Sequence, residues 1–375
     1  MRTLMVIAEM GSGGAEAVVA DLAGDRLERG DEVAVASDRG WRTADVAGRG
    51  ADLVPLPLRR PGAPALARSA ARLAGRLRRR PVDLLHTHNV RATLAASLAQ
   101  RAAGRRAPLV TTVHGLASED YPRAARLLRG CADVVVAVSD DVADRLRDGG
   151  LPADRVRVVE NAAPPLRLPT RAAARAALGL PFDGTVALSV ARLVPPKRHD
   201  LLVDAWARLQ QDHAAGAAGR GLGEGTGQGA GEPPLLLVAG DGAARPGLER
   251  RVAEAGVADR VRLLGDRRDV DRLLAAADLL VLASDREGLP VSVLEAMTAG
   301  VPVAASAVGG LTSLGDVVEL VAEPTPDAWA DAVRRLVEDP GRRADLAAAA
   351  GLLVEQRFSP AAMTASYDAI YRDLT

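Results

Sequence analysis

The chain has 375 residues, 48% of them hydrophobic and 26% charged, with 48 basic side chains balanced by 48 acidic ones. That length and balance exclude a disordered chain and leave room for two domains with separate cores. No apolar run reaches the roughly 18–20 residues of a membrane helix, and MRTLMVIAEMGSGG is too short in apolar residues, and lacks a cleavage site, for a leader, so a cytoplasmic protein is expected.

Short apolar runs alternate with helical periodicity almost throughout, which predicts βαβ units and parallel sheets. The first strand, TLMVIA, runs into GSGGAEA and a helix over Ala15–Arg29. Gly13 and Gly14 let backbone amides approach an anion at a helix N-terminus, although glycines of this kind, taken alone, are more often a tight turn. Gly11 and Gly13 begin a dinucleotide fingerprint, but its third glycine falls on Glu16, which speaks against a dehydrogenase. EVAVAS follows, then Trp41, then ADLVPL.

The next helix, Pro64–Arg80, opens a basic stretch: Arg59 to Arg106 holds twelve arginines against one acid, Asp83. In it Leu66, Ala70, Leu73 and Leu77 form one stripe directed at a core, while Arg68, Arg72, Arg76 and Arg80 form another. That cationic row is either a solvated face or a weak electrostatic contact for anionic lipid headgroups at the inner face of a membrane.

VDLLHTH and PLVTTVH come next, separated by a helix over Val90–Ala103. His86 and His88 lie on the same side of a strand, with no third metal ligand nearby. His114 stands at a strand tip beside Gly115, where an imidazole either orients a hydroxyl, assists proton transfer or is structural. The single cysteine, Cys131, precedes DVVVAVS and is expected as a small core residue, with no disulfide available to it. A helix over Asp140–Asp148 and the strand RVRVVE complete the first half.

NAAPPLRLP has no periodicity and reads as a linker, placing domains at 1–163 and 164–357. Alternation restarts with TVALSVA, LLLVAG, RVRLLG and DLLVLAS. Between the Trp206 helix and LLLVAG, the run AAGAAGRGLGEGTGQGAGEPP is expected to be a mobile surface loop. Of the 48 basic residues 47 are arginine, so the lone lysine, Lys197, marks a site suited to a compact point charge. In VARLVPPKRH, Arg192 and Lys197 flank a Pro195–Pro196 turn; they are either surface charge or a cradle for a leaving diphosphate. In SDREGLPVSVLEA, Glu287 and Glu295 stand eight residues apart across a strand-to-helix turn. Pro290 there frees the amides of Gly288 and Leu289, and the acids either cap the helix or grip one ligand. Asp269 and Asp271 spell Asp-x-Asp, but they open an amphipathic helix as capping acids would. Two consecutive doubly wound domains would form a cleft between the C-terminal edges of their sheets.

Taken together, GGAE, HTH, TVHG, VSDD, VARLVPPK, LLLVAGDG, the glutamate pair and AVGG at Ala307–Gly310 resemble the retaining, nucleotide-sugar-dependent glycosyltransferases of family 4. The resemblance covers most of the chain. It implies the GT-B architecture, an α/β fold of two Rossmann-like domains facing a cleft. The C-terminal helix, about 358–375, would cross back to brace the first domain. It also implies a donor site in which Arg192 and Lys197 hold the diphosphate, with Gly14, and by extension Gly13, near it. Glu295 would hold the ribose, and Glu287 with the Gly288 and Leu289 amides the sugar. His114 would stand by sugar and acceptor, and Glu16, Trp41 and Tyr121 are acceptor-side candidates. No metal and no cofactor is expected beyond the nucleoside diphosphate sugar, with UDP the expected nucleotide.

The expected partner is a hydroxylated small-molecule acceptor and not nucleic acid; oligomeric state stays open. A membrane-surface transferase acting on a lipid-linked envelope intermediate, and a non-catalytic nucleotide-sugar-binding partner, are the alternatives. A phosphorylase would need a pyridoxal phosphate lysine, and Lys197 is already assigned. Two departures from the family pattern are expected to matter. NAAPP has Ala162 where glycine is usual, and the segment after Gly310 looks shortened where the nucleotide is normally touched.

Overall fold

The computed structural model describes residues 1–218 and 232–375. The core of the expected glycine-rich surface loop, 219–231, lies outside the described residues. The chain divides into two compact units, Met1–Ala162 with Phe358–Thr375, and Ala163–Arg357.

In the first unit β1 (Arg2–Glu9), α1 (Gly14–Glu28), β2 (Glu32–Asp38), α2 (Arg42–Gly48) and β3 (Asp52–Pro55) lead to α3 (Ala63–Arg79). Then come β4 (Leu84–His88), α4 (Asn89–Ala103), β5 (Leu109–Val113), α5 (Tyr121–Arg129), β6 (Val134–Ala137), α6 (Asp140–Asp148) and β7 (Val156–Val158). Its seven strands run in the order β3-β2-β1-β4-β5-β6-β7, and the pairings are parallel. β4 and β5 are buried along their whole length, as strands covered by helices on both faces must be.

The second unit opens with α7 (Arg171–Ala177), β8 (Val186–Val190), α8 (His199–Ala218), β9 (Leu235–Ala239), α9 (Arg245–Glu254) and β10 (Val261–Gly265). It continues with α10 (Val270–Ala276), β11 (Leu279–Leu282), α11 (Val291–Thr298), β12 (Val303–Ser306), β13 (Glu319–Val321), α12 (Pro326–Glu338) and α13 (Pro340–Arg357). Its six strands follow the order β10-β9-β8-β11-β12-β13. Trp206 and Trp329, both fully buried, anchor its core. Thr170 and Thr325 cap α7 and α12 by accepting from Ala173 N and Ala328 N, satisfying amides the helices leave unpaired. Both sheets are doubly wound, and their order reverses between β1 and β4 and between β8 and β11. Ligands of such folds bind beyond the strand C-termini at that reversal.

The last helix, α14 (Pro360–Leu374), belongs to the first unit. Ser359 caps it, and Met363, Tyr367, Ile370 and Tyr371 enter the first unit's core. Burial of Met363 or Ile370 alone contributes roughly 1.5–3 kcal/mol. Tyr371 OH bonds His86 Nδ1 at 2.7 Å, and Tyr367 OH meets Thr112 Oγ1 at 2.9 Å. Thr112 Oγ1 also meets His86 Nε2 at 2.9 Å, so His86 braces α14 to the sheet rather than facing a ligand.

Three expectations are corrected. Cys131 is half-buried in the turn before β6 and not a core residue. On α3 the buried stripe is Ala65, Ser69, Ala70, Leu73, Ala74 and Leu77, with Leu66 only half-buried. A small-residue face suits the close packing of α3 on α4, where Arg78 reaches the Ala102 carbonyl. The row opposite is partly neutralised: Arg72 donates to Pro55 O at 3.3 Å, and Arg76 and Arg80 share Asp52 at 3.2 and 3.6 Å.

Candidate functional site

In the second unit the loops that follow β8 and β11 leave neighbouring strands, so their residues meet at the sheet's order reversal. Pro195 and Pro196 stiffen a single 3-10 turn, Pro195–Lys197, that carries the lysine. Lys197 Nζ donates to Glu287 Oε1 at 2.5 Å, with the glutamate side chain only 7% exposed. Ser284 Oγ donates to the same oxygen at 2.5 Å, and Ser284 N is held by Ser306 Oγ at the end of β12 at 2.9 Å. Asp285 N donates to Pro196 O at 2.9 Å, a backbone bond that joins the two loops. Arg192 is exposed, and its guanidinium has no partner among the described residues.

Close backbone approach fixes these loops. A Cβ on Gly240, at φ +145°, would lie 1.9 Å from Ala191 O, so only glycine lets the β9 loop back the Arg192 segment. Gly309, at φ +52°, stands likewise against the Glu287 carbonyl. Beyond Glu287, Gly288 and Leu289 are covered, and the Gly288 amide donates to no acceptor among the described residues. Pro290 is the N-cap of α11, and half-buried Glu295 lies one turn further on. The arrangement offers one guanidinium that is unpaired among the described residues, one ammonium and the Gly288 amide to an anion, with a carboxylate held beside the ammonium. Asp269, the N-cap of α10, makes no side-chain cap hydrogen bond; its carboxylate is taken by Arg267 and Arg272 instead.

In the first unit the loops after β1, β4 and β5 line one sheet edge. Gly13 is the N-cap of α1, with Gly14 its first residue. The Glu16 side chain folds back over Gly13, so that a Cβ there would clash with its carboxylate. Trp41 Nε1 donates to Ser12 Oγ at 2.9 Å, and the Arg42 guanidinium covers the ring at 4.5 Å. Trp41 therefore holds the glycine loop in place. His114 Nε2 lies 3.0 Å from His88 Nδ1, and His114 N donates to Asn89 Oδ1 at 3.3 Å. Burial pushes His114 down to about 4 and His86 to about 3, and takes His88 well below 6.5. These imidazoles are neutral near pH 7. Tyr121 does not join this edge with an open face: it is 4% exposed and its OH receives Leu116 N at 3.3 Å. Among the described residues no group of three His, Cys, Asp or Glu side chains is placed to hold a metal, and no helix is long and apolar enough to cross a membrane.

Residues 170–352 match the family model described as glycosyl transferases group 1, and residues 12–165 match that of glycosyltransferase family 4. The D-inositol 3-phosphate glycosyltransferase of Saccharomonospora viridis is 34% identical over 78% of this chain and 70% of its own length. The chain belongs to the family 4, group 1 glycosyltransferases. The enzyme of the same name from Salinispora arenicola is 35% identical over 71% of this chain and 63% of its own length, so the chain spans under two thirds of that relative. Among solved structures, Anabaena Alr3699/HepE in complex with UDP-glucose shares the fold, with a TM-score of 0.81 at 21% identity and 100% of both chains covered. This is the GT-B glycosyltransferase fold, with a Rossmann-like sheet in each unit.

Sequence reasoning missed Ser284, Ser12 and Arg198. The serines carry no motif of their own, but Arg198 sits beside the lone lysine, and that adjacency was a usable signal.

Proposed function

We propose that this chain is a retaining glycosyltransferase. It moves a hexose or amino sugar from a nucleoside diphosphate sugar, with UDP the nucleotide of choice, to a hydroxyl of a small-molecule acceptor. The observation that carries this reading is the meeting of Lys197 and Glu287 where the β8 and β11 loops join, with Arg192, unpaired among the described residues, on the same β8 loop. Two cations on a stiff backbone stabilise charge as it develops on the departing diphosphate, the role a divalent metal fills elsewhere. Glu287 and the Gly288 and Leu289 amides then orient the sugar, and Glu295 the ribose. In the first unit, the amides at Gly13 and Gly14 give α1 an anion-binding start, and His114 orients a hydroxyl.

The relatives' names make a phosphorylated polyol the first acceptor class to try, and UDP-glucose the first donor. The test is a mass-spectrometric screen of nucleotide sugars, scored for hydrolysis and for protection against unfolding. Consumption of one donor supports the reading. Binding without turnover, with any acceptor tried, would indicate a non-catalytic binding partner instead.

A further inference from the structure

Among the described residues, positive φ is found at fifteen glycines and at only two other residues, Asn89 and Arg198. Asparagine tolerates this region through its short polar side chain. Arg198, at φ +40° and ψ +38°, does not share that excuse, and glycine there would cost less. Its guanidinium is what glycine lacks. Nε donates to Asp200 Oδ1 at 3.3 Å, and a terminal nitrogen to Asp285 Oδ1 at 3.0 Å. Asp285 sits on the Glu287 loop, two residues before that glutamate, and its amide is the one bonded to Pro196 O. The β8 and β11 loops are thus joined three times through five residues: Lys197 to Glu287, Pro196 to Asp285 and Arg198 to Asp285.

Both acids are about half exposed, at 45% and 50%. Ion pairs this wet add little stability, and the left-handed backbone takes some of it away. Net stability does not account for the arrangement; placement does. We infer that Arg198 is a positioning residue: it ties the loop carrying Lys197 to the loop carrying Glu287, and so sets where the ammonium stands for a donor diphosphate. This rests on the donor reading above.

The experiment is titration of the full chain with UDP and with UMP, for wild type, Arg198→Gly, Asp285→Asn, Lys197→Ala and the double variant Lys197→Ala/Arg198→Gly. Arg198→Gly relieves the backbone strain, so its denaturation midpoint should be no lower than that of wild type. Its affinity for UDP should nonetheless fall roughly tenfold, while that for UMP stays unchanged. Asp285→Asn cuts the strut from its other end and should do the same. In the double variant nothing further should be lost beyond Lys197→Ala. If Lys197→Ala weakens UDP binding but both strut variants bind UDP as wild type does, the strut is overturned alone. Equal weakening of UDP and UMP, or additive losses in the double variant, also overturns it. A Lys197→Ala protein that binds UDP normally overturns the donor reading, and Arg198's role with it.

Discussion

Gly309→Ala is the substitution whose consequence can be worked furthest from the geometry. Gly309 has φ +52°, and a Cβ added to it would stand 1.9 Å from the Glu287 carbonyl oxygen and 3.0 Å from its carbon. Ordinary contact begins near 3.4 Å, so the carbonyl must retreat by about 3.4 − 1.9 = 1.5 Å. The glutamate side chain cannot follow freely, because Lys197 and Ser284 both hold it at 2.5 Å. Either the carboxylate moves or those bonds break. Misplacement on the order of 1 Å costs about a hundredfold in rate, and the left-handed backbone adds about 1–2 kcal/mol of destabilisation. Gly104→Ala is the control. Gly104 is left-handed at φ +61°, ψ +30°, but a Cβ there meets nothing within 4 Å. Steady-state kinetics with the donor that the screen identifies, together with urea denaturation, separates the two. Both variants should carry the left-handed backbone penalty, Gly309→Ala losing more stability because the carbonyl is displaced, and only Gly309→Ala should lose kcat by roughly two orders of magnitude. A Gly309→Ala protein with the kcat of the control would refute the claim that Glu287 must stand where it does.

Glu295→Gln should raise the Kd for the nucleotide with little change in kcat, whereas Glu287→Gln should lower kcat more than it changes donor Kd; identical behaviour of the two variants would remove the division of roles. Stability should fall with acid between pH 6.5 and about 4. His86, His88, His114 and His199 have depressed folded values, so the unfolded chain binds more protons there, and each fully buried imidazole contributes at most about 1.4 kcal/mol per pH unit. Asp21, raised by burial, acts with the opposite sign; urea midpoints that stay flat from pH 7.5 to 5 would contradict the neutral histidines. Tyr371→Phe removes the 2.7 Å bond to His86 and should cost about 1 kcal/mol of stability by denaturant titration without altering donor Kd. Cosedimentation with anionic-lipid vesicles decides the α3 row: binding at low salt that a roughly threefold rise in salt abolishes would support an electrostatic contact, and no binding at low salt would leave the row a solvated face.

The alternation of apolar runs was enough to place β1, β2, β4 and β5 with α1, α3 and α4, because buried strands begin or run through short apolar stretches, even where β4 and β5 carry His and Thr; the short helix α2 was not named. Asp140–Asp148 matches α6 to the residue, helped by the Ser139 cap. β12 and β13 were not read from the sequence: VAAS and ELV are three or four residues long and carry no period of their own. The α3 face was misjudged by one position, since leucine was weighted above alanine and Ser69 was not considered as a buried partner for Ala65 O. In the site, charged residues were legible because charge at a strand end has few structural uses. The meeting of Lys197 with Glu287 was not, since it spans |i−j| = 90 and depends on β8 and β11 lying side by side. Tyr121 looked like an acceptor-side aromatic only because sequence does not show which face of α5 turns inward.

The central claim is that two cations of this chain, and not a metal, carry the charge of the leaving diphosphate. Release of nucleoside diphosphate, followed in excess EDTA for wild type, Arg192→Ala and Lys197→Ala, tests it most directly. The account predicts an unchanged wild-type rate in EDTA and a loss of roughly a hundredfold or more in either variant, the scale set by removing one preorganised donor from developing negative charge. Loss of the wild-type rate in EDTA, with recovery on adding a divalent metal, would contradict it.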